Sequence, residues 1–111
     1  MTPTEIVGEV EVEIETGPGH RTIIWVVAVG ERAFVRTVYG PNSRWYREAL
    51  AEPCAVIANR SRIPIGVAPV TDPALIDAVS AAYEAKYAGD PSTPLMVLPG
   101  VLGTTLELRF P

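Results

Sequence analysis

One cysteine and one histidine are all that the 111 residues hold of the side chains most used for covalent and metal chemistry. The lone Cys54 excludes an intramolecular disulfide and any multi-cysteine metal site. At the head of the apolar run 54–58 it reads as a small buried hydrophobe. The lone His20 follows a Gly-Pro-Gly turn and has no serine or cysteine at a spacing suited to a nucleophile–base pair, so no triad is expected from it. Neither a glycine-rich phosphate loop nor a metal-ligand motif is present. No apolar run reaches the roughly 20 residues of a membrane helix, and the acidic start MTPTEIVGEVEVE lacks the apolar stretch of a secretory leader. A cytoplasmic location without a membrane partner is the expectation. Positive charge is short as well: the formal net charge is −4. A general nucleic-acid binder needs a basic footprint, so no nucleic-acid partner is expected.

What is there is apolar and β-patterned. Length sets the expectation of a single domain over residues 1–111. A domain this small buries only roughly two-thirds of its unfolded surface. With 48% hydrophobic residues, some apolar surface is left for a second subunit or a ligand groove, and a homodimer is expected. Residues 6–15 alternate, with Ile6, Val10, Val12 and Ile14 on one face and Glu9, Glu11, Glu13 and Glu15 on the other. This predicts a half-buried strand with a solvated acidic face. Residues 22–29 are apolar on both faces, as in a barrel wall with something packed outside it. Further strands are predicted at 33–39, 54–58, 63–68 and 104–110. Pro64 places the 63–68 strand at an edge or at an interrupted ladder.

Helices are predicted at 42–51, capped by Asn42 or Ser43, and at 72–87, started by Asp72-Pro73. The proline-rich segment 90–103 is expected to lack regular structure and to pack on a partner or lid a pocket. The count is six strands and two helices, a mainly β (α+β) chain whose order fits a small, closed or nearly closed antiparallel barrel.

The stretch 20–60 carries most of the aromatic and basic residues. Within it Arg36 interrupts an apolar strand, a local conflict of the kind enriched at functional sites, because a guanidinium there needs an anion or water. Trp25 reads first as core or interface. Trp45 reads as a helix anchor or a stacking platform, and Arg44 and Arg47 as solvated.

The runs RTIIWVVAVGERAFVRTVYG and SRWYREALAEPCAVI, with the helix AAYEAKY and the late Leu/Met/Pro segment, resemble a small bacterial family of unknown function within the FMN-binding split β-barrel superfamily. Pyridoxamine 5′-phosphate oxidase-like and deazaflavin-dependent nitroreductase-like proteins belong to that superfamily. The resemblance implies a six-stranded antiparallel split β-barrel with two helices, dimeric, with FMN or a deazaflavin in grooves between subunits. It implies contacts from Arg21 and Thr22, with Ile23 and Ile24 passing the ring. It also implies contacts from Arg36, Thr37, Val38 and Tyr39, and an aromatic at Trp45. Val38 and Tyr39 depart from the small-polar and basic residues that deazaflavin relatives carry there, which removes one cation. The function so implied is oxidoreduction of a small molecule whose identity, like the catalytic residues, the resemblance leaves open. The alternative is a non-enzymatic dimeric barrel that binds a small anion or a protein partner. Arg36→Ala is expected to weaken ligand binding by about tenfold or more with the fold intact.

Overall fold

The computed structural model describes residues 3–111, with side chains from Glu5 onward; the first residues of the acidic N-terminal stretch lie outside that range. The described chain forms seven strands and four helices rather than six and two. In order these are α1 (Pro3–Val7), β1 (Val12–Thr16), β2 (His20–Ile24), β3 (Val27–Val29), β4 (Arg32–Val35), α2 (Arg44–Ala51), β5 (Cys54–Ala58), β6 (Ser61–Pro69), α3 (Pro73–Lys86), α4 (Pro99–Leu102) and β7 (Leu106–Arg109), with a 3₁₀ turn at Thr93–Val97 before α4. The strands make one antiparallel sheet in the order β2-β1-β5-β6-β7-β4-β3. Its two edge strands, β2 and β3, are consecutive in the chain and separated only by Trp25 and Val26. The sheet therefore curls into a barrel-like half-shell whose edges approach each other at that corner.

β6 makes the bend on the other side. Its first half pairs with β5 and its second half with β7. Pro64 pairs with Ala55 where no second strand needs its missing N–H, as the sequence predicts.

The divided strand and the added helix have one physical cause. Carbonyls that a continuous ladder would use are taken instead by the C-terminal side chains of α3. Tyr83 donates to Trp25 O at 2.7 Å, and Lys86 Nζ donates to Val26 O and Glu9 O. The Tyr87 hydroxyl donates to Val10 O. The 22–29 run thus breaks at its middle, and the predicted strand 6–15 shortens to Val12–Thr16. Ile6 is fully buried from a helix, and Val10 turns out to be 70% exposed. At β4 the ladder stops because Thr37 N donates to the Thr104 hydroxyl at 3.2 Å. Segment 90–103 is not irregular but two short helical turns that bury Met96 and Val101.

Two apolar clusters result. The inside of the curled sheet holds Val12, Ile14, Ile24, Val26, Val35, Val56 and Leu106, closed by Ile6 and by Trp45, Tyr46 and Ala49 of α2. Outside β3 and β4, α3 covers Val27 and Phe34 with Val79, Tyr83, Tyr87 and Met96. The second half of the doubly apolar run 22–29 is thus covered by the core and by α3, whereas Ile23 in its first half is exposed. β1 alternates as predicted from Val12, and its outward Glu15 pairs with Arg62 at 2.9 Å and Arg21 at 3.4 Å. The buried Glu107 takes two 2.8 Å bonds from Arg32, which hold its carboxyl below the usual range despite the opposing effect of burial.

The β5–β6 hairpin turns through Asn59 and Arg60, both at positive φ (49° and 65°). A two-residue turn with both φ positive is the hairpin type that prefers glycine second, and a side chain there costs about 1–2 kcal/mol. Arg60→Gly is therefore expected to raise stability by about 1 kcal/mol. A urea midpoint that stays put or falls would refute this.

Candidate functional site

An open cleft of about 160 Å³ lies where the end of β2 (residues 22–25), the segment after β4 (residues 36–39), Trp45 of α2 and Met96 of the 3₁₀ turn converge. Each wall follows from a local feature already described. β2 ends at Ile24 because the next carbonyls are held by α3, so Trp25 leaves the ladder and stacks on Tyr87, ring centroids 4.0 Å apart and nearly parallel. Its indole N–H reaches Glu11 at 3.3 Å. Segment 36–39 leaves β4 with Thr37 pinned at its backbone by Thr104, its hydroxyl donating to Ser43 at 2.9 Å. That bond ties the segment to the start of α2. Trp45 and Tyr46 then bury the inner face of α2, their rings edge-on.

Helix α2 is fastened at its other end by His20. The His20 Nδ1 lies 2.8 Å from Glu48 Oε1, to which the buried Thr16 hydroxyl also donates at 3.0 Å. These bonds, the one from His20 foremost, hold the Glu48 carboxyl below its usual range against the desolvation of its site. His20 and Thr16 share one oxygen of Glu48, so the Thr16 hydroxyl is engaged with the carboxylate. The group is a clamp between the β1–β2 turn and α2, with no activated hydroxyl.

Arg36 is the largest fully buried side chain, only 2% exposed. Nε donates to Thr105 Oγ1 at 2.8 Å, Nη1 to Ser80 Oγ at 2.8 Å and to Met96 O at 3.0 Å, and Nη2 to Ile76 O at 2.8 Å. Its guanidinium also lies over the Tyr83 ring, 5.7 Å from the centroid. Four of the five N–H donors of the fork thus serve neutral acceptors on α3, the 3₁₀ turn and the segment before β7. No carboxylate pairs with it among the described residues, so burial lowers its pKa, partly offset by Tyr83 and the more distant Asp77. The anion or water expected for this residue is replaced by a cage of oxygen dipoles.

Of the residues singled out in the sequence, Thr22, Arg36, Thr37, Tyr39 and Trp45 line the cleft, with Ile23, Ile24 and Val38 beside them. Arg21 does not. It stands opposite Glu15 in the β1–β2 register and pairs with it on the solvent face. Trp25 and Met96 line the cleft as well. Trp25 carries the signal of an aromatic in an apolar strand, which fits core equally well. Met96 carries none, because its place depends on the bond from Arg36 to its carbonyl. Among the described residues no group of three or more His, Cys, Asp or Glu side chains is placed to hold a metal ion, and no helix is long and apolar enough to cross a membrane.

Over residues 5–108 the chain matches a family described as uncharacterized protein conserved in bacteria, DUF2255. Its fold is similar to the crystal structure of a conserved hypothetical protein from Mycobacterium tuberculosis, with a TM-score of 0.64 at 14% identity, covering 100% of this chain and 80% of that one. At that identity the similarity speaks to the fold alone. No curated protein matches the chain.

Proposed function

Since the chain belongs to DUF2255, a bacterial family whose description states no activity, we propose its function from the cleft: it binds the ring system of FMN or a deazaflavin there and serves as a small-molecule oxidoreductase of the split-barrel type. The observation that carries this reading is convergence. Thr22, Arg36, Thr37, Tyr39 and Trp45, brought from two strands' ends and a helix, meet around one opening between two indoles. Indole and aliphatic walls suit a planar ring, and hydroxyl and N–H groups suit its carbonyl oxygens. When bound, the cofactor supplies the hydride or electron transfer, and the chain supplies orientation and water exclusion.

The fit has a limit that bears on assembly. An apolar cavity of about 150 Å³ accommodates a single benzene-sized ring, so a tricyclic ring system overfills a cleft of about 160 Å³. The remainder would rest on the rim, where Ile23 is 62% and Tyr39 81% exposed. A second copy laid over this rim would enclose it, which supports a homodimer. Among the described residues Arg36 is the one cation that lines the cleft, and its donors are largely committed, so a cofactor phosphate would be held beyond these residues.

The test is titration of the purified protein with FMN and with a deazaflavin, followed by calorimetry and cofactor fluorescence. Saturable binding that Trp45→Ala weakens is expected. Absence of binding to either at high micromolar concentration sinks the oxidoreductase reading. A monomeric mass by light scattering at micromolar protein sinks the dimer.

A further inference from the structure

Several polar side chains of the cleft have a donor to spare. Among the described residues the Thr22 hydroxyl has no hydrogen-bond partner, and neither does the indole N–H of Trp45. Trp45 is only 5% exposed, yet no buried side-chain nitrogen or oxygen lacks a partner. Its unpartnered N–H is therefore not sealed in the interior, and Trp45 is one of the residues that line the cleft. Beside them Arg36 brings a buried positive charge without a counter-ion and one N–H beyond the four it has placed. No aspartate or glutamate lines the cleft. A buried charge compensated by dipoles alone gains from an anion brought close, because charge-assisted bonds in a low-dielectric site are the strong ones.

Size narrows the class. At about 160 Å³ the cleft is matched to one six-membered ring. We propose that its cognate ligand is a single aromatic ring bearing a carboxylate, the ring against the walls formed by Trp25, Ile24 and Met96 and the carboxylate toward the Trp45 and Thr22 donors, near the Arg36 charge. This rests on the reading of the cleft as the binding site, and it does not require a bound flavin. A flavin ring in the cleft would exclude it, so the two compete for one site; without a cofactor it is the whole ligand.

Benzoate, benzamide and cyclohexanecarboxylate are the probes, titrated by calorimetry and tryptophan fluorescence. Benzoate should bind at least about tenfold tighter than the neutral benzamide, as one charge-assisted bond to a carboxylate is expected to give, and tighter than the puckered, non-aromatic acid. Thr22→Val removes one donor and keeps the shape, and Trp45→Phe removes another with a smaller ring, so each should weaken benzoate by about tenfold while benzamide changes less. Equal affinity for benzoate and benzamide, or benzoate binding indifferent to both variants, overturns the proposal. The comparison of ligands on the native chain stands even if a variant fails to fold. FMN binding without benzoate binding overturns this inference alone, whereas benzoate binding without FMN or deazaflavin overturns only the flavin reading.

Discussion

Arg36→Met is expected to lower the free energy of unfolding by on the order of 4 kcal/mol, because it takes a donor from four acceptors at once, two buried and two half-buried, and each group left short of a partner costs about 1–3 kcal/mol. The acceptors are the Thr105 and Ser80 hydroxyls and the Ile76 and Met96 carbonyls. Methionine fills much of the volume, so the loss isolates the bonds from the packing. The hydroxyls can turn to other partners, and relief of a buried, uncompensated charge offsets part of the cost. Together these keep the figure below the simple sum of the four. Urea denaturation of the two proteins reads the difference directly, and a loss under about 1 kcal/mol would show that the cage adds little. The expectation from sequence, that Arg36 can be truncated with the fold intact, does not survive the structure. A binding defect in an Arg36 variant has to be separated from unfolding, which is why Trp45 and Thr22 are the better probes of the cleft.

The second large effect lies two residues earlier, on the same α3-facing side of the strand. Phe34→Ala should cost about 3–5 kcal/mol, the usual range for emptying a fully buried aromatic site. Phe34 is 0% exposed and sits between β4 and α3 among Val27, Val79, Tyr83 and Met96. Because α3 also grips the N-terminal segment and the β2–β3 corner through Lys86, Tyr83 and Tyr87, the outer layer and the barrel interior are expected to unfold together. Far-ultraviolet dichroism and tryptophan fluorescence should therefore give one shared, lowered midpoint in the variant. A helical signal lost well before the fluorescence change would mean that α3 is a detachable layer.

Much of this arrangement was legible in the residues. Period-two alternation marked β1 and β6, and a short apolar run marked the buried β5. Asp72-Pro73 marked the start of α3, where the Asp72 carboxylate accepts the Ala74 N–H at 3.0 Å. Arg36 was visible as a charge in an apolar strand, and Trp45 as the buried stripe of α2.

The residues alone pointed to an antiparallel, barrel-like chain with helices at 42–51 and 72–87, close to those observed, and to the stretch 20–60 as the place where basic and aromatic groups crowd. Only the tertiary structure decided where strands stop and what Arg36 does. Those outcomes depend on donors and acceptors far apart in the chain: Lys86 on Val26 O and Glu9 O, Thr104 on Thr37 N, Met96 O on Arg36. Local propensity favours continuing a ladder through residues 25 and 26. A buried carbonyl, however, takes whichever donor the packed layers bring to it, and here α3 brings tyrosine and lysine. The same physics put Trp25 and Met96 into the cleft and left Arg21 on the solvent face with Glu15.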